Sequence, residues 1–178
     1  MTDYDLVVYL DSDVRVVAEV DPLLECAAPF SLLATAATSS PLNAGVLAIR
    51  PDKRLYGQLV RTVQRGEYSN EAGWFGAGFG TTGGRVTYGA EGPQGFLEAF
   101  FFRNGTRAEA AGAAPAYMMD KCVWNSNAAF CAERERGRAA EGGGGVAARI
   151  VHKQYEVHRA MRPCEAAAAA AAVEAGAD

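Results

Sequence analysis

The sequence has no block of basic residues, no long apolar run and only two histidines. Its 17 Lys and Arg are outnumbered by 21 Asp and Glu, and the net charge of -4 argues against binding to a nucleic-acid backbone. No apolar run reaches the roughly 18 residues of a membrane span, and Asp3 and Asp5 stand where a signal peptide carries positive charge. We expect no nucleic-acid partner and no membrane span in this chain.

Closely spaced cysteine pairs are also missing. Cys26, Cys122, Cys131 and Cys164 are separated by 96, 9 and 33 positions, which excludes the C-x-x-C spacing of zinc ribbons and thioredoxin-like proteins. A chain of 178 residues can bury a sufficient core without a disulfide or a metal. We therefore expect all four cysteines to be thiols, and we expect one domain over residues 1–163 followed by an Ala-rich tail of low complexity over residues 164–178.

Apolar patterning predicts alternating strands and helices, which indicates an α/β fold with a mixed sheet flanked by helices. Residues 5–10 (DLVVYL) form a nearly continuous apolar run, which predicts a strand buried on both faces. Further strands are predicted at 45–50, within 117–124 and at 146–151, helices at 21–25, 52–66 and 94–102, an irregular Gly-rich loop at 71–88 and a linker at 133–145.

Two aspartates, Asp11 and Asp13, follow the first predicted strand directly, with Ser12 between them. Ligands gather at the carboxyl ends of strands in open α/β sheets. Two carboxylates about 4 Å apart repel by around 4 kcal/mol at an effective dielectric of 20, so an enclosed pair needs a shared cation or a shared proton. Carboxylate oxygens are ligands for Mg²⁺ and Mn²⁺. The alternative is that both side chains point into water.

Two enzyme classes place a D-x-D motif after such a strand. In haloacid-dehalogenase-like phosphatases the first Asp is the nucleophile and the second a general acid. Arg15 stands where that motif has Thr or Val, and no acidic pair for Mg²⁺ follows Asp52, so this class is disfavoured. In nucleotide-sugar glycosyltransferases of the GT-A type, D-x-D holds a divalent ion that bridges the donor's diphosphate.

Five segments, in order, resemble glycosyltransferase family 8, the glycogenin-like retaining transferases. They are residues 4–24 around the D-S-D motif, 42–51 (LNAGVLAIRP), 92–101 (GPQGFLEAFF), 123–125 (VWN) and 149–152 (RIVH). The resemblance covers about residues 4–163. It implies a partial GT-A (Rossmann-like) fold and the metal-dependent transfer of a hexose from a UDP-sugar to an acceptor, with retention of configuration.

The resemblance implies roles for the residues that match its motifs. Asp11, Asp13 and His152 would hold Mn²⁺ or Mg²⁺. The donor would lie against Asp11, Ser12, Asp13, Asn43, Ala44 and Gln94, with Gln94 at the reacting face. Amides suit hydroxyl groups because each offers two donors and an acceptor. Each of the two amide side chains has a structural alternative as the cap of a neighbouring turn or helix, and His152 has one as a histidine at a strand end.

The chain departs from the family at the reacting centre. Pro93 stands where the family's G-D-Q-G motif has an acidic residue. Glu91, two residues earlier, is the nearby carboxylate that would replace it, in a catalytic role beside Gln94.

A second departure lies after His152, where the family's short H-x-x-G-x-x-K-P-W closure is stretched and Cys164 replaces the Trp. His158 is the fallback metal ligand. Lys153, Arg159 and Arg162 are the cations from which the diphosphate contact would come.

The resemblance begins at the D-x-D strand, so we expect the amino-terminal βαβ unit that grips the nucleoside in this family to be missing from the chain. A non-catalytic binding remnant is therefore the alternative to an active transferase, and a phosphatase-like enzyme is the third hypothesis. The resemblance leaves the acceptor open, whether glycan, protein or lipid, and is compatible with a homodimer. The compartment, cytoplasm or Golgi lumen, is not determined.

Overall fold

The computed structural model describes residues 3–37, 40–76, 80–82, 85–103, 107–125, 131 and 150–152. In chain order, its strands are β1 (Val7–Leu10), β2 (Val14–Val16), β3 (Leu32–Thr35), β4 (Asn43–Ile49), β5 (Tyr68–Ser69), β6 (Gly73–Trp74), β7 (Thr81–Thr82), β8 (Arg85–Val86), β9 (Ala116–Met119) and β10 (Ile150–His152). The helices are α1 (Asp21–Ala27), α2 (Lys53–Arg65), α3 (Pro93–Phe101), α4 (Arg107–Ala110) and α5 (Lys121–Trp124).

A four-stranded mixed sheet in the order β1-β4-β3-β9 forms the centre of the fold. Strand β4 pairs antiparallel with both β1 and β3, whereas β3 pairs in parallel with β9. Strands β2 and β10 form a separate antiparallel pair. The predicted α/β class with a mixed sheet flanked by helices is confirmed, and the architecture is consistent with a partial Rossmann-like fold.

Successive side chains along β3 and β4 point to opposite faces of this sheet, so the core consists of two clusters, one on each face. Leu33 and Val46 pack with Leu23 of α1 and Trp124 of α5 on one face. On the other face, a second apolar cluster forms against α2 and α3; its members include Leu32, Leu47, Leu55, Phe96 and Phe100. The layers are therefore helix, sheet and helix.

The first strand differs from its prediction. Among the described strands β1 lies at an edge of the sheet and pairs with β4 alone, and Tyr9 and Leu10 are 47% and 37% exposed. The expectation of a strand buried on both faces was therefore wrong, because an apolar run alone does not reveal how many neighbours a strand has. Strand β4 takes the central position, and its residues from Gly45 to Ala48 are buried.

The two long helices begin and end as their sequences predict. The Asp52 side chain accepts hydrogen bonds from the backbone N–H groups of Arg54 and Leu55 at the start of α2, and Gly66 ends it with a left-handed φ of 62°. Helix α3 carries Pro93 at its first position, which needs no N–H donor. Residues 71–88, predicted as irregular, contain the short strands β6, β7 and β8, and residues 117–124 divide into the end of β9 and helix α5.

The expectation of four thiols was also wrong. Cys122 and Cys131 form a disulfide, with their Cα atoms 5.5 Å apart, and Cys26 is disulfide-bonded as well. This separation lies in the ordinary range for bridged cysteines. Sequence spacing could not reveal the bridge, because a separation of nine positions does not determine whether the chain folds back to bring the two cysteines together. Cys164, the linker at 133–145 and the tail from 164 to 178 lie outside the described residues.

Candidate functional site

Four strands of the central sheet have an end on the same side of the sheet, beyond the carboxyl ends of β1, β3 and β9. Strands β1, β3 and β9 end there, and β4 begins there, because Leu10 lies opposite Val46 while Thr35 lies opposite both Asn43 and Met119. The carboxyl ends of strands are the usual place for a ligand in an open α/β sheet. Of the residues predicted to form the site, Asp11 and Asp13 follow the end of β1, and Asn43 and Ala44 are the first residues of β4.

The predicted acidic pair lies in a tight turn between β1 and β2. The backbone N–H of Asp11 donates to the carbonyl of Gly45 at 2.9 Å, and the N–H of Val14 donates to the carbonyl of Asp11 at 3.2 Å. Asp11 is half-buried, whereas Ser12 and Asp13 are exposed. We call residues 11–13 the acidic turn. Its first residue is thus fixed to the start of β4, next to Asn43 and Ala44.

The Asp11 carboxylate already has one partner. Oδ1 of Asp11 accepts a hydrogen bond of 2.7 Å from the hydroxyl of Tyr9. This bond and the negative charge of the carboxylate together raise the pKa of Tyr9 above its ordinary value. Tyr9 therefore stays a neutral donor to Asp11, and it orients the carboxylate without cancelling its charge.

The third predicted ligand, His152, lies in β10. The antiparallel register places His152 opposite Val14, the residue directly after Asp13. Residues paired in this way have Cα atoms about 4.5–5.5 Å apart. The backbone of His152 therefore lies next to the acidic turn, although His152 and its partner Val14 are 138 positions apart in the sequence. The direction of the His152 side chain is not among the features that the structure describes.

The donor chemistry of these residues fits a hard divalent ion, because two carboxylates one residue apart supply the oxygens that Mg²⁺ and Mn²⁺ prefer. Among the side chains that the structure describes, no three of His, Cys, Asp or Glu form a group able to hold a metal ion. The metal ligands Asp11, Asp13 and His152 remain predictions.

Next to the acidic turn, Asn43 and Asn125 join in a hydrogen-bonded pair. Nδ2 of Asn125 donates to Oδ1 of Asn43 at 2.8 Å and to Oγ1 of Thr35 at 2.9 Å. Oδ1 of Asn43 also accepts from the backbone N–H of Gly45 at 2.8 Å. Because Gly45 N–H can only donate, it sets the orientation of the Asn43 amide. The Asn43 side chain therefore both caps the local turn and joins β4 to the end of α5.

Gln94 enters the same region from the start of α3. Its Oε1 accepts from the backbone N–H of Ala44 at 3.4 Å and from the hydroxyl of Ser40 at 3.3 Å. The structure thus brings Asn43, Ala44 and Gln94 together. We call the five side chains of Thr35, Ser40, Asn43, Gln94 and Asn125 the amide network.

Two glycines make room for Gln94. A Cβ atom at Gly95 would lie against the carbonyl oxygen of Ala90, and one at Gly89 would lie 2.7 Å from Nε2 of Gln94. Gly89 also has a left-handed φ of 70°, which disfavours any side chain there. The start of α3 can therefore approach the preceding turn closely, and this approach carries Gln94 to Ala44.

The two remaining residues at the predicted reacting centre are exposed. Pro93 occupies the first position of α3, and Glu91 precedes the helix. The backbone carbonyl of Glu91 accepts a hydrogen bond of 3.0 Å from Nε1 of Trp74. This bond ties the segment to the aromatic side of α3. Whether the Glu91 carboxylate replaces the acidic residue missing at Pro93 remains a prediction.

Thr35 and Ser40 were absent from the sequence-based candidates, and Asn125 was noted there only as part of a short motif. Thr35 ends a run of apolar residues, which is the same signal that pointed to Asp11, and Asn125 follows the apolar pair Val123 and Trp124. The fallback ligand His158 and the candidate cations Lys153, Arg159 and Arg162 lie outside the described residues.

Comparison with known proteins gives one partial match. Over 64 residues, the chain is 38% identical to inositol phosphorylceramide glucuronosyltransferase 1 of Arabidopsis thaliana. The match covers 36% of this chain and 11% of that relative. No profile of a known protein family matches the chain. The similarity supports glycosyl transfer in general. Within the described residues, none of the helices is long and apolar enough to span a membrane.

Proposed function

We propose that this chain carries the donor-binding part of a metal-dependent glycosyltransferase that moves a hexose from a UDP-sugar to an acceptor with retention. The observation that carries this proposal is that the acidic turn and the amide network lie next to each other, at the same strand ends of the central sheet. Asp11 binds Gly45 through its backbone, Asn43 accepts from the same Gly45, and Gln94 accepts from Ala44. The partial match to a glucuronosyltransferase supports the same reaction class.

In the proposed site, the acidic turn takes the diphosphate end of the donor and the amide network takes the sugar. Asp11, Asp13 and His152 are the residues that would hold Mn²⁺ or Mg²⁺. A divalent ion held there would neutralise the negative charge that develops on the departing diphosphate. The supporting observations are the exposure of Asp13 and the register that sets His152 opposite Val14.

Asn43 and Gln94 would orient the sugar. The oxygen of each amide is already occupied by donors of the protein, so the Nδ2 and Nε2 groups are the parts left to donate to sugar hydroxyls. Uncharged donors suit this task, since they bind a hydroxyl or a carboxylate without a fixed positive charge beside the reacting carbon. UDP-glucose and UDP-glucuronic acid are the donors to test first, the latter because the matched relative is a glucuronosyltransferase.

The test is a calorimetric titration of UDP with and without Mn²⁺ on the wild-type chain and two variants. Asp13→Asn keeps the size of the side chain and removes its charge, and we expect Mn²⁺-dependent UDP binding to weaken more than about 100-fold, as for the loss of a group that supports a bound metal. Asp5→Asn is the matched control, because it makes the same charge change at an exposed carboxylate outside the turn. Its UDP affinity should equal that of the wild type.

The proposal fails if the Asp13→Asn chain binds UDP with the same dependence on Mn²⁺ as the wild type. It also fails if both variants weaken binding equally, because the effect would then come from net charge and not from the acidic turn.

A second candidate function is donor binding without transfer, and the observation that favours it is Pro93. This residue lies exposed at the start of α3, directly before Gln94, where the resembling family has a carboxylate. Proline offers no such group. Chromatography distinguishes the two functions after incubation with UDP-glucose or UDP-glucuronic acid. An active transferase yields free sugar or sugar transferred to an acceptor, whereas a binding remnant yields neither product.

A further inference from the structure

Asn125 is buried at the centre of the amide network. It is 3% exposed, and its Nδ2 group bridges Thr35 at the end of β3 and Asn43 at the start of β4. Both hydrogens of that amine group are therefore used within the protein. With so little exposed surface, Asn125 has no route to direct contact with a ligand, whereas its partner Asn43 is only half-buried.

The short helix before Asn125 holds this residue in place. The Asp120 carboxylate accepts from the backbone N–H of Cys122 at the start of α5, and Asn125 ends the helix by donating its own N–H to the carbonyl of Lys121. Val123 and Trp124 are buried in the core. The Cys122–Cys131 disulfide adds a covalent tie at the same helix. Asn125 is thus fixed by its own segment, independently of Asn43.

We propose that Asn125 is a positioning residue for the Asn43 amide, and this inference rests on the proposed function. Asn43 accepts two hydrogen bonds at one oxygen, from Gly45 N–H and from Asn125, and the two donors together fix the plane of its amide. The Nδ2 group of Asn43 then points away from both donors. Without Asn125, only the hydrogen bond from Gly45 N–H would hold the Asn43 side chain, and its amide could rotate about that bond. The Nδ2 group of Asn43 would then no longer be oriented toward the sugar.

The experiment separates recognition of the sugar from recognition of the diphosphate. For each chain, the dissociation constants of UDP and of UDP-glucose are measured by calorimetry with saturating Mn²⁺, and again with UDP-glucuronic acid in place of UDP-glucose. The ratio of the UDP constant to the UDP-sugar constant, here called the sugar ratio, reports only the sugar contacts. A loss of folded protein lowers both affinities and does not move this ratio.

We expect Asn125→Ala to lower the sugar ratio about 3- to 10-fold while the affinity for UDP itself stays within twofold of the wild type, as for one neutral hydrogen bond. Asn43→Ala should lower the ratio by a similar factor, and the double variant should lower it no further. Thr62→Val is the control, because it removes a buried side-chain hydrogen bond, from Thr62 Oγ1 to the carbonyl of Gln58 in α2, outside the amide network and with little change of shape. Its sugar ratio should equal that of the wild type.

Thermal unfolding of every variant checks the fold, and Asn125→Ser replaces Asn125→Ala if the latter does not fold. The inference is overturned if the chosen Asn125 variant binds UDP and keeps the wild-type sugar ratio, or if the Asn43 and Asn125 effects simply multiply in the double variant. A wild-type chain that binds no UDP with Mn²⁺ would overturn the proposed function and this inference together. The two failures are therefore distinguishable.

Discussion

Hydrogen bonds within the protein hold the side chains of Asn43, Gln94 and Asn125, whereas Ser12 and Asp13 lie exposed in the acidic turn after β1. The amide network receives side chains from β3, β4, α3 and α5, and its orientation is set before any ligand arrives. The acidic turn comes from one short segment beside the edge strand β1.

This difference indicates how binding energy would be divided between the two regions. A preorganised group loses little entropy when a ligand arrives, because folding has already ordered it. Two neighbouring carboxylates repel each other, and a cation that binds both of them offsets this repulsion. We therefore expect the amide network to depend on the fold and the acidic turn to depend on the ligand, and the predictions below test this division.

The largest expected effect comes from Gly95→Ala, which disrupts the packing of α3 against Ala90 and therefore the position of Gln94 in the amide network. The new methyl group would lie against the carbonyl oxygen of Ala90, and backbone cannot move aside as a side chain can. We expect a loss of about 3 kcal/mol in the free energy of unfolding, at the upper end of overpacking costs. Denaturant unfolding measures it. Because α3 must shift, the sugar ratio should fall in whatever protein remains folded.

Gly57→Ala is the control for this prediction, since it makes the same chemical change inside another helix. The nearest atom to its new methyl group is the flexible end of Arg61, at 3.2 Å. We expect a gain of about 0.5–1 kcal/mol from the better helix propensity of Ala. Equal stability of the two variants would show that the close approach of Ala90 to α3 does not constrain the network.

A smaller effect is expected at Gly89, and the pair Gly89→Ala and Gly66→Ala isolates it. Both glycines have left-handed φ values, 70° and 62°, so alanine costs roughly 1–2 kcal/mol at either position. Only at Gly89 does the new methyl group meet Nε2 of Gln94, at 2.7 Å, whereas at Gly66 no atom lies within 4 Å. The two variants should unfold alike, but Gly89→Ala alone should lower the sugar ratio, about 3- to 10-fold. An unchanged ratio would separate Gln94 from sugar recognition.

Helix α2 and strand β3 illustrate which elements can be predicted from the sequence and which cannot. Asp52 and Gly66 mark the ends of α2 through local hydrogen bonds and a local φ angle, so the signals lie in the residues themselves. Strand β3 was not predicted, although residues 32–35 are the most deeply buried strand. Its residues Leu-Leu-Ala-Thr lack β-branched side chains before the last position, and burial on two faces removes the alternation that identifies a strand.

The residues of the site fall into the same two groups, those with a local sequence signal and those that only the tertiary structure brings together. Asp11 was predicted from a local signal, the apolar strand that it follows, and Gln94 from the local motif of residues 92–101 that resembles glycosyltransferase family 8. Asn125 and Thr35 are joined across 90 positions, and their contact exists only because β9 pairs in parallel with β3 and carries α5 to the end of that strand. The pairing of distant strands is not encoded in any single segment. The Cys122–Cys131 bridge was missed for a related reason, because the path between its ends depends on the tertiary structure.

The smallest predicted effect concerns pH and tests how a buried carboxyl group on α3 contributes to the stability of the fold that supports the amide network. Glu98 is buried on α3, the helix whose second residue is Gln94, and burial raises the pKa of its carboxyl despite the nearby Arg103. The folded state thus holds this proton more tightly than the unfolded state, in which the pKa is near 4.5, so stability declines as the pH rises through the folded-state pKa. Relative to Glu98→Gln, which does not titrate, wild-type stability should fall over the pH range above the unfolded-state pKa of 4.5. Denaturant unfolding across this range measures the difference. The exposed Glu71→Gln should show no such trend, and a wild-type advantage over Glu98→Gln that grows with pH would mean that the Arg103 ion pair outweighs burial.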